Sequence, residues 1–424
     1  MDKNRKITRC SFVAEEALNY FFTIFVTGTF LGYILSALGF SDAMQGIINT
    51  VSTLSCSAQI FSLVLSGRRV KMTVLFSMLF TQIAFITVYL LPIFNFTPAL
   101  KSALFVVLLV VGNLVNNAVS PARLVWLMKS VDNDKRGSFT AVKEMLSLAG
   151  GVAVSFFLGA IADLYRDAEG LPTPTYYIIC ATALVVMMVI HTVSVLLCHK
   201  DKNELAPIAI KDSLKSVLNN KSIVKIMAID LLWSVALSLS TPFFPSYLRE
   251  ELSMSFTVIT TFTMIGLVAR IVLSPIMGRL ADKKSFTYSI MVCLVLQAVA
   301  FAGAIFTAPG NARWLYVIYS CFAGFAMAGI NSGFLNLVYD YVRPEGRAVA
   351  IGLKAAVSGT SGFLSAIFSG WLLERIQLRG GVTVLGTTLY AQQVLSIISL
   401  GVILLLSLYM LKVIIPMRKI GAKM

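Results

Sequence analysis

Charge is scarce in this sequence: Asp, Glu, Lys and Arg make up only 13% of its 424 residues, where a soluble domain carries about a quarter. A chain this long could bury a large core, but it would still need a polar surface, and this composition cannot supply one. Histidine is scarcer, with only His191 and His199, and neither has acidic neighbours at metal-ligand spacing, which argues against a metal site. The cysteines, Cys10, Cys56, Cys180, Cys198, Cys293 and Cys321, form no CxxC pair and fall mostly in apolar runs. Neither a zinc site nor a disulfide framework is indicated. There is no HExxH pair, no GxSxG with partners and no phosphate loop, so no enzyme, nucleotide-driven pump or cofactor is expected.

What the sequence has in excess is apolar length. Hydrophobic residues make up 57% and the mean hydropathy is +0.83, so lipid is the solvent that can face the surplus. A bilayer core needs roughly 20 apolar residues per helix, and such runs recur near 17–38, 46–65, 72–92, 102–127, 138–163 and 175–198. Six more follow near 223–247, 255–277, 286–307, 313–339, 348–373 and 389–413. The first run is too long for a signal h-region and no small-residue cleavage site follows it, so it is expected as a retained helix. The expected fold class is an all-α integral membrane protein of twelve spans, with domains at 1–198 and 223–424 joined by a polar linker at 199–222.

The net charge of +15 does not imply nucleic acid, because the basic residues follow topology. With the N-terminus inside, 25 of the 35 Lys and Arg fall in inner loops, while the outer loops hold Lys101, Arg166, Arg249, Arg313, Arg375 and Arg379. That asymmetry satisfies the positive-inside rule for an even number of spans and predicts cytoplasmic termini, with the plasma membrane as the expected location. The remaining four, Arg123, Lys143, Arg270 and Lys354, lie within spans.

The halves match one another at a shift of 211 residues. Gly67-Arg68 falls on Gly278-Arg279, Lys143 on Lys354, Ser147 on Ser358, Gly151 on Gly362, Gly159 on Gly370 and Asn19 on Asp230. A constant register across several helices predicts two six-helix repeats in the same orientation.

Gly278-Arg279-Leu280-Ala281-Asp282-Lys283-Lys284, placed in the inner loop between the eighth and ninth runs, resembles the signature loop of the major facilitator superfamily. In the first copy, Gly67-Arg68-Arg69-Val70-Lys71, the acid is replaced by Lys71. The resemblance implies two six-helix bundles, helices 1, 4, 7 and 10 lining a central cavity, and substrate near the midplane. It also implies a gating latch in which Asp282 meets the start of helix 5 near Arg136 and Ser138, where free amides favour a carboxylate. The glycine-proline pattern expected in helix 5 of the drug/proton antiporter branch is absent from Leu148-Ala149-Gly150-Gly151-Val152.

Ionisable groups within spans face a bundle interior or a wet cavity. Glu144 lies eight residues beyond Arg136, about 12 Å into helix 5, at the depth of Arg123 on helix 4. Arg270 is as deep on helix 8. Glu144 either forms a static pair or exchanges partners between Arg123 and Arg270. Lys143 and Lys354 either snorkel to the inner surface or bring positive charge to the cavity. Asn113, Asn116, Asn117 and Ser120 form a polar stripe at i, i+3, i+4, i+7 on helix 4, matched on helix 10 by Asn331. Such a stripe is either interhelical glue or substrate contact. Helix 1 adds Asn19, and helix 7 adds Asp230, an acid able to titrate. Trp233 is read as an interface anchor.

These features predict a monomeric secondary transporter that moves a small-molecule substrate by alternating access and couples it to protons. The partners are substrate, protons and membrane lipids. A facilitative uniporter and a non-transporting sensor on the same scaffold are the alternatives.

Overall fold

The structure, a computed structural model, describes residues 3–61, 70–128, 130–131, 136–167, 171–198, 219–342, 347–384 and 387–417. The chain divides into two compact units: Met1–Phe40 with Ala58–Ile208, and Ser41–Ser57 with Ala209–Met424. Helices dominate both, as lipid requires, because a helix satisfies its backbone hydrogen bonds internally.

The first unit holds α1 (Lys3–Phe25), α2 (Gly28–Ala37), α5 (Val70–Leu90), α6 (Pro98–Met128), α7 (Arg136–Leu164) and α8 (Pro174–Leu197). Between α2 and α5 the chain forms α3 (Asp42–Asn49) and α4 (Val51–Ser55), which cluster with the second unit. Helix α1 packs against α7 and α8, and α5 against α6 and α8. Phe12, Val74, Met78, Trp126, Leu127 and Val195 close the core. On α8, Val186, Val189, Ile190, Val193 and Leu197 are each at least half exposed, while His191, Ser194 and Cys198 are buried. The exposed stripe follows helical spacing and forms a lipid-facing surface.

The second unit adds α9 (Lys221–Ser240), α10 (Phe256–Lys283), α11 (Phe286–Ile305), α12 (Ala312–Tyr341), α13 (Arg347–Gln377) and α14 (Ala391–Tyr409). Helix α9 packs on α13 and α14, and α12 on α10 and α11. The repeat is visible in the side chains: shifted by 211 residues, Lys143 of α7 lands on Lys354 of α13.

Among the described residues, eleven helical segments are long and apolar enough to cross a membrane. The expected second span, 46–65, is not one of them. There Thr50, Ser55 and Ser57 turn their hydroxyls back onto Ile47, Val51 and Leu54 carbonyls. The same back-bonding occurs within unbroken helices, as at Thr182 and Ser365; here the chain passes into a 3-10 segment, Cys56–Phe61, and 62–65 of the expected span lie outside the described residues.

Other expectations shift for local reasons. The first helix starts at Lys3 rather than near residue 17, which carries Glu15 and Glu16 into the bundle. The seventh leaves α-geometry at Thr241–Phe243 and becomes a π-turn at Tyr247–Glu251, since Pro242 and Pro245 cannot donate backbone hydrogen bonds. A hairpin absent from the sequence reading, β1 (Val382–Val384) with β2 (Thr387–Leu389), pairs Val382 with Leu389.

The motif at Gly278 also differs from expectation. Gly278 through Lys283 is helical and forms the last turns of α10, not a loop. The connection shrinks to Lys284 and Ser285, because Ser285 caps the next helix by accepting from the Tyr288 amide. Gly278 and Arg279 are exposed. The side chains of Asp282 and Arg136, on which the latch expectation falls, lie outside the described residues, as do Gly67-Arg68-Arg69 and most of the linker, 199–218.

Candidate substrate and ion site

In the first unit, α1 presents Glu15, Glu16, Asn19 and Thr23 toward its neighbours. Two of them, Glu15 and Asn19, meet Arg123, which is on α6 and only 7% exposed. Its Nε stands 3.3 Å from Glu15 Oε1, and its Nη1 donates to Asn19 Oδ1 at 3.3 Å and Asn116 Oδ1 at 3.5 Å. One guanidinium fork therefore joins a carboxylate to two amides, a geometry that a point-charge ammonium could not reproduce. Glu15 also faces His191 Nε2 at 3.6 Å, and His191 Nδ1 lies 2.5 Å from Gln82 Nε2. Asn19, Asn116, Gln82, Thr23 and Thr81, with Phe22, Met78 and Phe85, line a narrow cavity of about 10 Å3, space for about one water molecule.

The asparagine stripe on α6 divides by task. Asn113 is buried and donates to the Leu109 carbonyl. Asn117 donates to the Asn113 carbonyl and accepts from Gln59 Nε2. Asn116 faces Arg123 and the cavity, and Ser120 is half-buried.

The lysines paired by the repeat do not snorkel. Lys143 is buried, 3.2 Å from Glu16 Oε1 and over the Phe12 ring. Lys354 lies 3.1 Å from Asp230 Oδ1 and over the Phe334 ring. Asp230 is 6% exposed, and its Oδ2 has no hydrogen-bond partner. One turn on, Ser234 donates to the Ser358 carbonyl at 2.6 Å, tying α9 to α13 beside the ion pair. Trp233 is buried edge-on against Phe334 at 6.0 Å, so it packs within the unit and is not an interface anchor.

Arg270 is half-buried on α10, and Asn331 is exposed on α12. The Glu144 side chain lies outside the described residues; among those described, Glu15 brings a carboxylate to Arg123. Glu15, Gln82 and His191 were missed by the sequence reading. Glu15 fell just before the first expected span, and His191 was judged by neighbours in sequence, whereas its acid comes from another helix. The signal available was the length of α1, whose turns before residue 17 have no breaker.

The sequence profile of the Major Facilitator Superfamily matches residues 17–365 and 231–413. The chain belongs to that superfamily. Solved members of the fold superpose over nearly the whole chain. The nucleoside transporter NupG aligns at 15% identity and a TM-score of 0.71, covering 98% of this chain and 100% of that one. An auto-inhibited POT family peptide transporter aligns at 11% identity and a TM-score of 0.73, covering 100% and 99%. A D-xylose-proton symporter aligns at 12% and 0.66, covering 95% and 97%. At these identities the likeness is one of fold. No curated protein shows a significant sequence match. As a facilitator-superfamily member with these spans, the chain is a multi-pass membrane transporter of small molecules, and its polar intramembrane residues are to be read in that light.

Proposed function

We propose that this chain is a secondary active transporter of the plasma membrane, that it moves a small polar solute by alternating access, and that proton movement through buried carboxylates drives it. The observation that carries the reading is the Asp230–Lys354 pair. A carboxylate this deep in an apolar helix is costly, and it is held by one cation with one oxygen free of hydrogen bonds. Protonating Asp230 removes the charge that Lys354 compensates, which releases Lys354 for an incoming acceptor group. Deprotonation restores the pair and expels that group. In the first unit, Asn19, Asn116 and Ser120 are proposed to supply neutral donors and acceptors suited to hydroxyls and amides. The latch at Gly278, Arg279, Asp282 and Arg136 is proposed to gate the inner side.

A uniporter is the second reading, favoured by the fact that Glu15, Glu16 and Asp230 each already have a cation partner. Uptake by the purified chain in proteoliposomes separates the two. Nucleosides, pentoses and short peptides, the cargo classes of the structural neighbours, are the first panel. Concentration of one of them above its external level only when a pH gradient is imposed supports coupling. Equilibration that ignores the gradient supports the uniporter.

A further inference from the structure

The Glu15–His191–Gln82 chain is not used by the coupling pair above, and it has an unusual property. It is fully buried, with Glu15 at 1%, His191 at 0% and Gln82 at 3% exposure, yet Gln82 also lines the polar cavity. Neutral imidazole has one donor and one acceptor nitrogen, and the neighbours determine which is which. Gln82 Nε2 is the amide atom nearest His191 Nδ1, so Nδ1 accepts and the ring proton sits on Nε2, toward the Glu15 carboxylate. Gln82 Oε1 is left without a partner.

A second proton on the ring reverses this pattern. Both imidazolium nitrogens donate, and an Nδ1–H cannot sit against an NH2 group. The Gln82 amide must turn over, present Oε1 to the ring and swing its NH2 away. We propose that His191 with Glu15 is a proton-binding site of the first unit and that Gln82 is an amide switch, changing the cavity wall from hydrogen-bond acceptor to donor when the site is protonated.

The surrounding charges allow the extra proton. Arg123 on α6 balances Glu15, and Lys143 on α7 is balanced by Glu16. Lys71 on α5 donates to the Leu196 and Cys198 carbonyls at the end of α8, beside the Cys198 thiol. Glu15 Oε2 has no hydrogen-bond partner and so retains acceptor capacity. Arg123 gives the site a second link to the cavity through Asn19 and Asn116. The site is independent of the Asp230 reading and would bind its proton in an uncoupled carrier as well.

The sequence has two histidines, so His199→Asn leaves one ring to observe. The full chain with ring-15N histidine in lipid nanodiscs is followed by NMR from about pH 8 to about pH 5, the range in which histidine titrates. The expected result is a neutral ring with its proton on Nε2 at the upper end and both nitrogens protonated at the lower end. Glu15→Gln moves the midpoint down by about one unit or more, as loss of an opposite charge at this distance requires. Gln82→Glu, whose carboxylate can only accept, moves it up by a similar amount. Gln82→Met keeps the fold question separate, since Glu15 still faces Nε2 and holds the Nε2–H tautomer while the ring loses its amide neighbour. A neutral ring carrying its proton on Nδ1, a ring that does not titrate, or a midpoint indifferent to Glu15 and Gln82 overturns the proposal.

Discussion

Lys354 Nζ stands 3.1 Å from Asp230 Oδ1, and Lys143, its counterpart in the first repeat, stands 3.2 Å from Glu16 Oε1. The repeat has conserved a lysine on the fifth helix of each half while moving its acid by one turn: Asn19 occupies the position of Asp230, and Glu16 lies three residues earlier. The two pairs differ in exposure. Asp230 is buried, whereas the Glu16 side chain is 33% exposed. The Asp230–Lys354 pair is therefore the more deeply buried of the two.

Removing one partner of a buried pair costs more than removing both. Asp230→Asn leaves Lys354 uncompensated and is expected to cost about 3–5 kcal/mol. Adding Lys354→Met should recover most of that stability without recovering pH-driven accumulation. Thermal unfolding of the two purified variants checks the order.

The acids of α1 should separate in the same way. Glu15→Gln strands Arg123 in a buried site and should cost about 3 kcal/mol or more. Glu16→Gln, with solvent screening its pair, should cost less than about 1 kcal/mol. Equal losses in thermal unfolding would contradict the placement of Glu15 inside the bundle.

Two glycines make opposite predictions. A Cβ on Gly359 would come 2.5 Å from the Thr53 carbonyl oxygen, and backbone cannot yield, so Gly359→Ala should lower stability by about 1–3 kcal/mol. Gly278 is exposed and helical, with nothing within 4 Å of a Cβ. Gly278→Ala should raise stability by up to about 1 kcal/mol. Melting temperatures of the two variants read both signs.

At one end of the second unit, burial pushes the Asp42 carboxyl above its usual range, opposed by a hydrogen bond from Gln377 and by Arg249. An acid with a raised folded-state value contributes stability in acid and loses it as the pH rises through that value. Asp42→Asn should therefore melt at or above the wild type at neutral pH, and the advantage should vanish below about pH 4, where the unfolded carboxyl is protonated too. A wild type that is the more stable of the two at pH 7 would contradict this.

Much of the fold was legible because lipid imposes a single rule, apolar length, and the 211-residue register repeats it. Lys143 of α7 and Lys354 of α13, matched by that register, each pair with an acid on the first helix of their half. What escaped were the places where the chain departs from the rule. The expected second span passes into a 3-10 segment at Cys56–Phe61, and Pro242 and Pro245 distort the end of the seventh. The site was legible where one residue carried the signal, as with Asp230, Lys354 and Arg123. It was not legible where two helices had to meet. Glu15 and His191 are 176 positions apart in sequence, and neither local spacing nor hydropathy connects them.

The most direct test compares two modes of transport in proteoliposomes loaded with the solute identified by uptake. Exchange of labelled for unlabelled solute at equal pH needs only a carrier that reorients, while accumulation against a gradient needs the proton. Asp230→Asn is expected to keep exchange within about threefold of wild type, a change of under ~0.7 kcal/mol in barrier, and to lose pH-driven accumulation. Accumulation that survives in Asp230→Asn, driven by the same pH gradient, would contradict the coupling assigned to the Asp230–Lys354 pair.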